Sequence, residues 1–329
     1  ALRAGPSLSM PTTRASVESA ITMWGPPGSG KSTFLAALDI ALIQQDQGWR
    51  LIGEDDKSTE ALIRYTTSLS QGHRFPPATQ VIERHSWRLI GALPAPSRRF
   101  SLRSAHRREQ SGREVQVVLD IVDTPGELAS PEADGNNGDL IEVLARSSGL
   151  VFFFDPIREF KLGDSFDHVF GVVARLAQRM ETPAAGRLPH RVAVCITKFD
   201  ELRVFESARR LAVSTIGDDV EGLPQVPDYE AREFFARLCE VSGTGKAEML
   251  VNIFERYFIP ERVRYFVTSA IGFYVDPRIG RFDPDDPQNV LAGEEFSDSK
   301  GTRIRGPVRP VNVVEPILWL ASALAEGRT

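Results

Sequence analysis

The chain has 329 residues, of which 42% are apolar and 25% charged, a composition that excludes a fibrous or wholly disordered protein. Its 39 Lys and Arg residues against 44 Asp and Glu residues give a net charge of −5, which is unfavourable for a surface that holds nucleic acid. Two cysteines, both in apolar segments, favour a reducing compartment over a disulfide framework. Because no apolar run approaches the ~20 residues that span a bilayer, we expect a soluble, cytoplasmic protein.

Strand-like and helix-like segments alternate along most of the chain, as in a parallel sheet with helices on both faces. Residues 1–19 are expected to form a flexible leader before the first strand. The predicted strands cover residues 20–24, 49–53, 85–92, 99–107, 114–122, 150–155, 191–197 and 263–268. The predicted helices cover residues 31–47, 58–69, 140–147, 164–179, 229–240 and 247–257, and a last helix starts near residue 313. A turn at residues 110–113 predicts a hairpin between the two strands that flank it.

Two stretches interrupt this alternation. Residues 54–113 are too long for a plain connection between a helix and a strand. Residues 276–309 are rich in Pro, Gly and acidic residues and have little periodicity, which predicts a long loop or a small subdomain. Because the motifs described next are spread over the chain, residues 20–329 are predicted to form one α/β domain with two insertions.

The first motif is a phosphate-binding loop. Residues 25–32 read GPPGSGKS and match G-x-x-x-x-G-K-[ST] between a predicted strand and a predicted helix. Glycines let backbone N–H groups turn toward phosphate oxygens, and the following helix N-terminus adds positive potential. Lys31 is predicted to reach the β- and γ-phosphates, and the Ser32 hydroxyl to bind Mg²⁺. The residues predicted to surround the nucleotide phosphates are Gly25, Pro27, Gly28, Ser29, Gly30, Lys31, Ser32 and Thr33.

The second motif follows the strongest predicted strand. Residues 123–126 read DTPG. The carboxylate of Asp123 can hold Mg²⁺ through a water molecule, because hard cations prefer oxygen ligands. The N–H of Gly126 can contact the γ-phosphate.

Two further motifs favour guanine over adenine. Residues 197–200 read TKFD, and the carboxylate of Asp200 can accept two hydrogen bonds from guanine N1–H and N2–H₂, which adenine lacks. Lys198 is predicted to lie along the base and ribose. Residues 268–270 read TSA, where a backbone N–H of Ser269 or Ala270 can donate to guanine O6.

The order GPPGSGKS, DTPG, TKFD, TSA resembles the G1, G3, G4 and G5 motifs of the translation-factor/Ras-like class of P-loop GTPases, and the resemblance covers nearly the whole chain. It implies a doubly wound, mostly parallel sheet that binds GTP or GDP with Mg²⁺ at the carboxyl ends of its strands. It also implies a switch I threonine that contacts Mg²⁺ and the γ-phosphate. Among Thr59, Thr66, Thr67 and Thr79, we prefer Thr79, because it ends a Pro-rich loop just before a strand.

Several features depart from compact Ras-like proteins and resemble prokaryotic regulatory GTPases with insertions. The connection from the phosphate-binding loop to DTPG is much longer. Pro27 stands at the third loop position and removes an N–H on the γ-phosphate side. Glu127 stands where the resemblance places the glutamine that orients the attacking water. We therefore expect slow hydrolysis that depends on a partner's arginine, and Arg74 is a candidate for an arginine supplied by the chain itself.

One charged segment is a candidate partner surface. Six arginines and a single glutamate lie between Arg98 and Arg113. They suit an acidic protein face, RNA or lipid headgroups, although we prefer a solvated edge hairpin that charge protects from aggregation. The acidic stretch 282–299 lacks the ligand spacing of a calcium-binding loop and is predicted to be a solvated loop.

The sequence thus predicts a GTP-hydrolysing molecular switch whose output is binding to an effector or a GTPase-activating protein. The residues predicted to act in hydrolysis are Lys31, Thr79, Gly126 and Glu127, and those predicted to hold Mg²⁺ are Ser32, Thr79 and Asp123. One alternative is a GTP-bound scaffold that does not hydrolyse, which Pro27 and Glu127 would favour. Another is an ATP-driven machine with Asp120 as its acidic residue, which leaves TKFD unexplained. A ribosome-assembly GTPase is disfavoured by the acidic balance.

Overall fold

Strands and helices alternate through the computed structural model, which describes residues 20–45, 48–77, 83–93, 113–123, 137–180, 186–217, 221–242, 245–291 and 302–326. The strands are β1 (Ala20–Trp24), β2 (Arg50–Gly53), β3 (Glu83–Leu93), β4 (Arg113–Asp123), β5 (Gly149–Phe154), β6 (Arg191–Ile196), β7 (Thr215–Ile216), β8 (Pro224–Gln225), β9 (Val263–Val267), β10 (Val290–Leu291) and β11 (Arg303–Ile304). The helices are α1 (Lys31–Gln45), α2 (Asp56–Ser70), α3 (Asn137–Arg146), α4 (Pro156–Leu162), α5 (Ser165–Arg179), α6 (Leu202–Arg210), α7 (Asp228–Glu240), α8 (Glu248–Tyr257) and α9 (Glu315–Glu326). Over these ranges, none of the helices has the length and hydrophobicity to cross a membrane.

Seven strands form the central sheet, in the order β2-β3-β4-β1-β5-β6-β9. β4, β1, β5, β6 and β9 run parallel, whereas β2 and β3 add an antiparallel edge. In chain order, β2, β3 and β4 lie on one side of the central β1, and β5, β6 and β9 lie on its other side. In such a sheet, the carboxyl ends of the strands where the chain changes sides form a crevice that binds ligands. The predicted doubly wound, mostly parallel α/β fold is confirmed.

The hydrophobic core lies on both faces of this sheet, and β5 is buried completely. Leu150, Phe152 and Phe154 project into the cluster that includes residues of α3, α5, α7 and α8. Val151 and Phe153 project into the opposite cluster, which includes residues of α1, α2 and α9. Because side chains alternate along a strand, a strand covered on both faces is apolar at every position. This explains the unbroken sequence GLVFFF.

The predicted hairpin between residues 99–107 and 114–122 is wrong. β4 pairs along its whole length with β3, from Glu83 opposite Asp123 to Leu93 opposite Arg113. Trp87 and Leu89 of β3 are fully buried in the core, a role that the arginine-rich stretch could not fill because charged side chains are costly to bury. The predicted strand 99–107 and the leader 1–19 lie outside the described residues.

The two predicted insertions are tied to the fold wherever the structure describes them. In residues 54–113, α2 and β3 widen the sheet and its helical cover. In residues 276–309, β10 and β11 pair antiparallel. The buried Asn289 side chain donates to the carbonyl of Ile271 at 3.0 Å and accepts from the N–H of Gly306 at 2.9 Å. The described part of the second insertion is therefore anchored by buried polar contacts.

Most predicted helices and strands are confirmed, with ends that differ by a few residues. Two short helices, α4 and α6, were not predicted as elements of their own. With seven and nine residues, they are too short to show a sustained helical period in sequence.

Candidate nucleotide-binding site

The predicted motifs all begin at one edge of the sheet. The phosphate-binding loop follows β1, DTPG follows β4, TKFD follows β6 and TSA follows β9. These four strands are parallel, so their carboxyl ends lie on the same side of the sheet. The four strands that precede the motifs therefore end at one edge of the sheet, which is where a nucleotide site is expected in an open α/β sheet.

The phosphate-binding loop is wrapped around the ammonium group of Lys31. Lys31 is 4% exposed, and its Nζ donates to the carbonyl oxygens of Gly25 at 3.1 Å and Pro26 at 3.4 Å. Gly28 and Gly30 have φ angles of 74° and 95°, in the left-handed region that glycine adopts without steric cost. A Cβ atom at either glycine would point into open space. The loop thus keeps an open rim above a fixed cation, which fits phosphate oxygens.

Two of the three residues predicted to hold Mg²⁺, Ser32 and Asp123, belong to elements next to the phosphate-binding loop. Ser32 lies in the first turn of α1. Asp123 ends β4, two residues after Ile121, which pairs with Met23 of β1. Because Gly25 is likewise two residues after Met23, Asp123 and the start of the phosphate-binding loop lie at the same level along the sheet. Hydroxyl and carboxylate oxygens are suitable magnesium ligands, so the donor set fits the ion. The Asp123 side chain, Thr79, Gly126 and Glu127 lie outside what the structure describes.

Asp200, the residue predicted to recognise guanine, is buried in the loop that follows β6. It is 8% exposed, and its Oδ1 accepts a hydrogen bond from the Ser269 hydroxyl at 2.5 Å. Burial raises the pKa of Asp200 to about 6, and the hydrogen bond from Ser269 opposes this shift. A carboxylate with one oxygen already held by a hydroxyl is oriented before a base arrives, which reduces the cost of binding.

The TSA motif supports this carboxylate. The Ser269 hydroxyl, besides donating to Asp200, accepts from the N–H of Gly272 at 2.8 Å. The N–H of Ser269 donates to the carbonyl of Val311 at 3.0 Å. Ser269 is therefore engaged in holding Asp200 and the neighbouring loop, and the backbone N–H of Ala270 is the better candidate for guanine O6.

The base-reading loop is joined to the phosphate-binding loop. The Thr197 hydroxyl lies 3.3 Å from the carbonyl oxygen of Ser29 and 3.0 Å from that of Phe154, and its single hydrogen can be donated to either. Phe199 is fully buried, and its ring meets those of Phe205 and Phe273 edge to face or nearly so. The apolar Phe199 thus anchors the loop on which the polar residues of TKFD stand.

A segment that the sequence motifs did not include connects the two halves of the site. Asp155 follows β5, is 3% exposed, and caps α4 by accepting from the N–H groups of Ile157 and Arg158. Its other oxygen binds Nζ of Lys198 at 2.6 Å. Asp followed by Pro156 at the first helical position is a helix-start signal that could have revealed α4. Its pairing with Lys198 has no sequence signal.

Arg158, in the same helix, binds the phosphate-binding loop. Its Nη1 donates to the carbonyl oxygen of Pro27 at 3.2 Å. Its Nε and Nη2 donate to the two carboxylate oxygens of Asp164 at 3.0 and 2.5 Å. Sequence analysis missed this arginine because it belongs to none of the four motifs. Arg74, which the sequence offered only as a candidate, has its backbone in a β-bridge with Arg303.

His168 of α5 completes the surroundings of the loop. Its ring stacks on Trp24, the last residue of β1, with ring centroids 6.2 Å apart. Burial lowers the pKa of His168 to about 4, and the positive charges of Lys31 and Arg158 contribute to this shift. The imidazole is therefore neutral at pH 7 and adds no further positive charge beside the loop.

Asp120, the acidic residue of the ATP-driven alternative, has a different surrounding. It lies within β4, three residues before the strand ends. Its carboxylate accepts a hydrogen bond from Ser86 of β3. Asp120 is thus engaged within the sheet by a side chain of the neighbouring strand.

This sheet, with a phosphate-binding loop and a TKFD loop joined at one edge, defines a P-loop GTPase of the translation-factor/Ras-like class, as the motifs implied. Residues 19–251 match the model of the Double-GTPase 2 family, and the chain belongs to that family. Membership supports guanine-nucleotide binding. Among curated protein sequences, none matches the chain.

Solved structures that resemble the chain do so at low identity. The signal recognition particle receptor SRb-GTP/SRX complex from Chaetomium thermophilum is 14% identical, with 78% of this chain and 93% of that chain covered and a TM-score of 0.38. The Ski7 GTPase-like domain of S. cerevisiae, bound to GDP and inorganic phosphate, is 11% identical, with 94% and 50% covered and a TM-score of 0.35. This chain therefore spans half the length of the latter.

Proposed function

We propose that this chain is a Mg²⁺-dependent GTPase that acts as a molecular switch for a partner protein. The observation that carries the proposal is the buried Asp200 carboxylate, oriented by Ser269 on the same sheet edge as the phosphate-binding loop. A buried carboxylate that lacks its hydrogen-bond donors is costly. Guanine offers the matching pair of donors and adenine does not, so the site favours GTP over ATP.

In this proposal, separate groups of residues bind the base, the phosphates and Mg²⁺. Asp200 and the Ala270 N–H hold the base, and Lys198, fixed by Asp155, lies along its edge. The loop N–H groups and Lys31 hold the phosphates, where the ammonium exchanges its carbonyl contacts for phosphate oxygens. Ser32, Thr79 and Asp123 would bind Mg²⁺, which when bound neutralises charge on the β- and γ-phosphates.

The switch itself rests on Thr79, Gly126 and Glu127. Contacts from Thr79 and Gly126 to the γ-phosphate side would order two loops in the GTP state, and hydrolysis would release them. The output is binding of an effector or a GTPase-activating protein in the cytoplasm. The arginine-rich stretch from Arg98 to Arg113 is suited to an acidic face on such a partner.

Competition between nucleotides tests the proposal. Labelled GTP bound to the purified chain with Mg²⁺ should be displaced by unlabelled GTP and GDP and much more weakly by ATP. Asp200→Asn should weaken GTP and improve xanthosine triphosphate, because an amide can donate to the extra carbonyl of xanthine. Phosphate release, measured with Mg²⁺ and again with a chelator, tests hydrolysis. Equal displacement by ATP and GTP would refute guanine recognition.

A GTP-bound scaffold is the second candidate, and Pro27 favours it. Proline at the third loop position lacks an N–H, and its carbonyl is occupied by Arg158. Absence of phosphate release with or without cell extract, together with tight GTP binding, would decide for the scaffold.

A further inference from the structure

The guanidinium of Arg158 is held at the rim of the phosphate-binding loop. One edge donates to Pro27, and the other forms a two-pronged ion pair with Asp164. The Arg158 side chain is only 22% exposed. A bidentate pair of this kind fixes the plane of the fork as well as its position. The cation is thus preorganised beside the loop and is not a solvated surface arginine.

Pro27 marks the place where the loop has one donor fewer. Proline cannot donate from its backbone, and Glu127 in its ionised form cannot donate either. Transfer of a γ-phosphoryl group spreads negative charge over its three outer oxygens, and catalysis consists largely of placing cations and donors against them. Arg158 is the described arginine that is bonded to the loop at this position.

We propose that Arg158 is a catalytic residue that contacts the γ-phosphoryl group of GTP, so that the chain supplies its own arginine. The inference rests on the proposed GTPase function. In the reaction, the oxygen of water bonds to the γ-phosphorus, and the bond from phosphorus to the β,γ-bridging oxygen breaks. The electron pair of that bond stays on GDP, and the proton lost by water leaves with inorganic phosphate. Arg158 stabilises the charge on the γ-phosphoryl oxygens during this step.

The donors of Arg158 are arranged for this contact. A guanidinium carries five N–H groups, and among the described residues three of them are bonded to Asp164 and Pro27. Nε and Nη2 can stay on Asp164 and keep the fork oriented, while Nη1 turns from the Pro27 carbonyl to the phosphate. A fork anchored at one edge loses little side-chain freedom when the other edge binds.

Arg158→Ala tests the proposal, with Arg210→Ala as the matched control, because Arg210 is exposed and pairs only with the exposed Glu206 among the described residues. In Arg158→Ala, the rate of phosphate release should fall about 100-fold or more, while affinity for GDP stays within a few-fold. Binding of GDP with aluminium fluoride, a mimic of the transferred group, should be lost. Millimolar guanidinium should restore turnover in part. Arg210→Ala should behave as the wild type in all four measurements.

Two more variants separate contact with the phosphate from support of the loop. Arg158→Lys keeps the charge without the planar fork and should give intermediate turnover. This variant also tests the proposal if Arg158→Ala fails to fold. Asp164→Asn releases the fork and should lower turnover less than Arg158→Ala, without rescue by guanidinium. Unchanged turnover in Arg158→Ala, or an equal loss of GTP and GDP affinity at constant kcat, would overturn the proposal. So would a loss of turnover that follows Arg74→Ala instead.

Failure of the proposed function is recognised separately. If the wild type binds GTP and releases no phosphate, hydrolysis is wrong, and the contact is judged by binding alone. Arg158→Ala should then lower affinity for a non-hydrolysable GTP analogue relative to GDP, because only the analogue carries a γ-phosphate. An unchanged ratio between the two affinities would overturn the inference about Arg158.

Discussion

Replacing Ser269 with alanine is expected to weaken GTP binding by changing the charge of Asp200. The Ser269 hydroxyl donates to this carboxylate at 2.5 Å, and a donor of this kind favours the ionised form. In the proposed complex, guanine donates two N–H groups to Asp200, so the ionised form of Asp200 is the one that should bind it. GTP affinity should therefore be high above the pKa of Asp200 and fall as the pH drops through that value, which is about 6 in the wild type.

The size of the effect follows from the lost hydrogen bond. A hydrogen bond to a charged group contributes about 1.5–3 kcal/mol, and about 1.4 kcal/mol corresponds to one pH unit. Removing the hydroxyl should therefore raise the pH midpoint of GTP binding by roughly 1–2. At pH 7, where the wild-type carboxylate is mostly ionised, affinity should fall by up to about tenfold if the midpoint reaches about 8.

A fluorescent GTP analogue titrated from pH 5 to pH 9 measures this midpoint. Ser207→Ala is the matched control, because its hydroxyl donates to the backbone carbonyl of Arg203, one turn earlier in α6, in an exposed hydrogen bond. The control should follow the wild-type curve. The reasoning is refuted if Ser269→Ala and the wild type share one midpoint, or if GTP affinity does not change with pH.

Three further predictions concern the phosphates, the switch and the core. Lys31→Ala should weaken binding of nucleotide with Mg²⁺ by at least ~1.5–3 kcal/mol, as measured by calorimetry, and unchanged binding would contradict the phosphate site. Thr79→Ala should abolish the Mg²⁺-dependent preference for GTP over GDP; a preference that survives would place switch I elsewhere. Gly91→Ala should lower the free energy of unfolding by about 1–3 kcal/mol, because its Cβ would lie 2.1 Å from the ring of Trp49. In the matched control, Gly138→Ala, the Cβ meets open space, so equal stability losses would contradict this cause.

The sequence by itself determined the class of the protein. The phosphate-binding loop carries its requirements in eight consecutive residues, because backbone conformation and one helix N-terminus are local properties. The buried central strand β5 could also be predicted from its unbroken apolar run, since a strand covered on both faces has no polar position. The remaining motifs each follow a predicted strand, and this order was sufficient to predict that they share one nucleotide-binding crevice.

The tertiary structure decided which side chains support that crevice. Asp200 meets Ser269 across 69 residues, and Arg158 meets Pro27 across 131. No local propensity encodes such contacts, because they depend on which strands become neighbours and on the register between them. The pairing partner of β4 is another feature that local sequence did not predict. Turn residues near position 110 favoured a close partner, whereas burial of Trp87 selected the more distant β3, since apolar area removed from water outweighs a short loop.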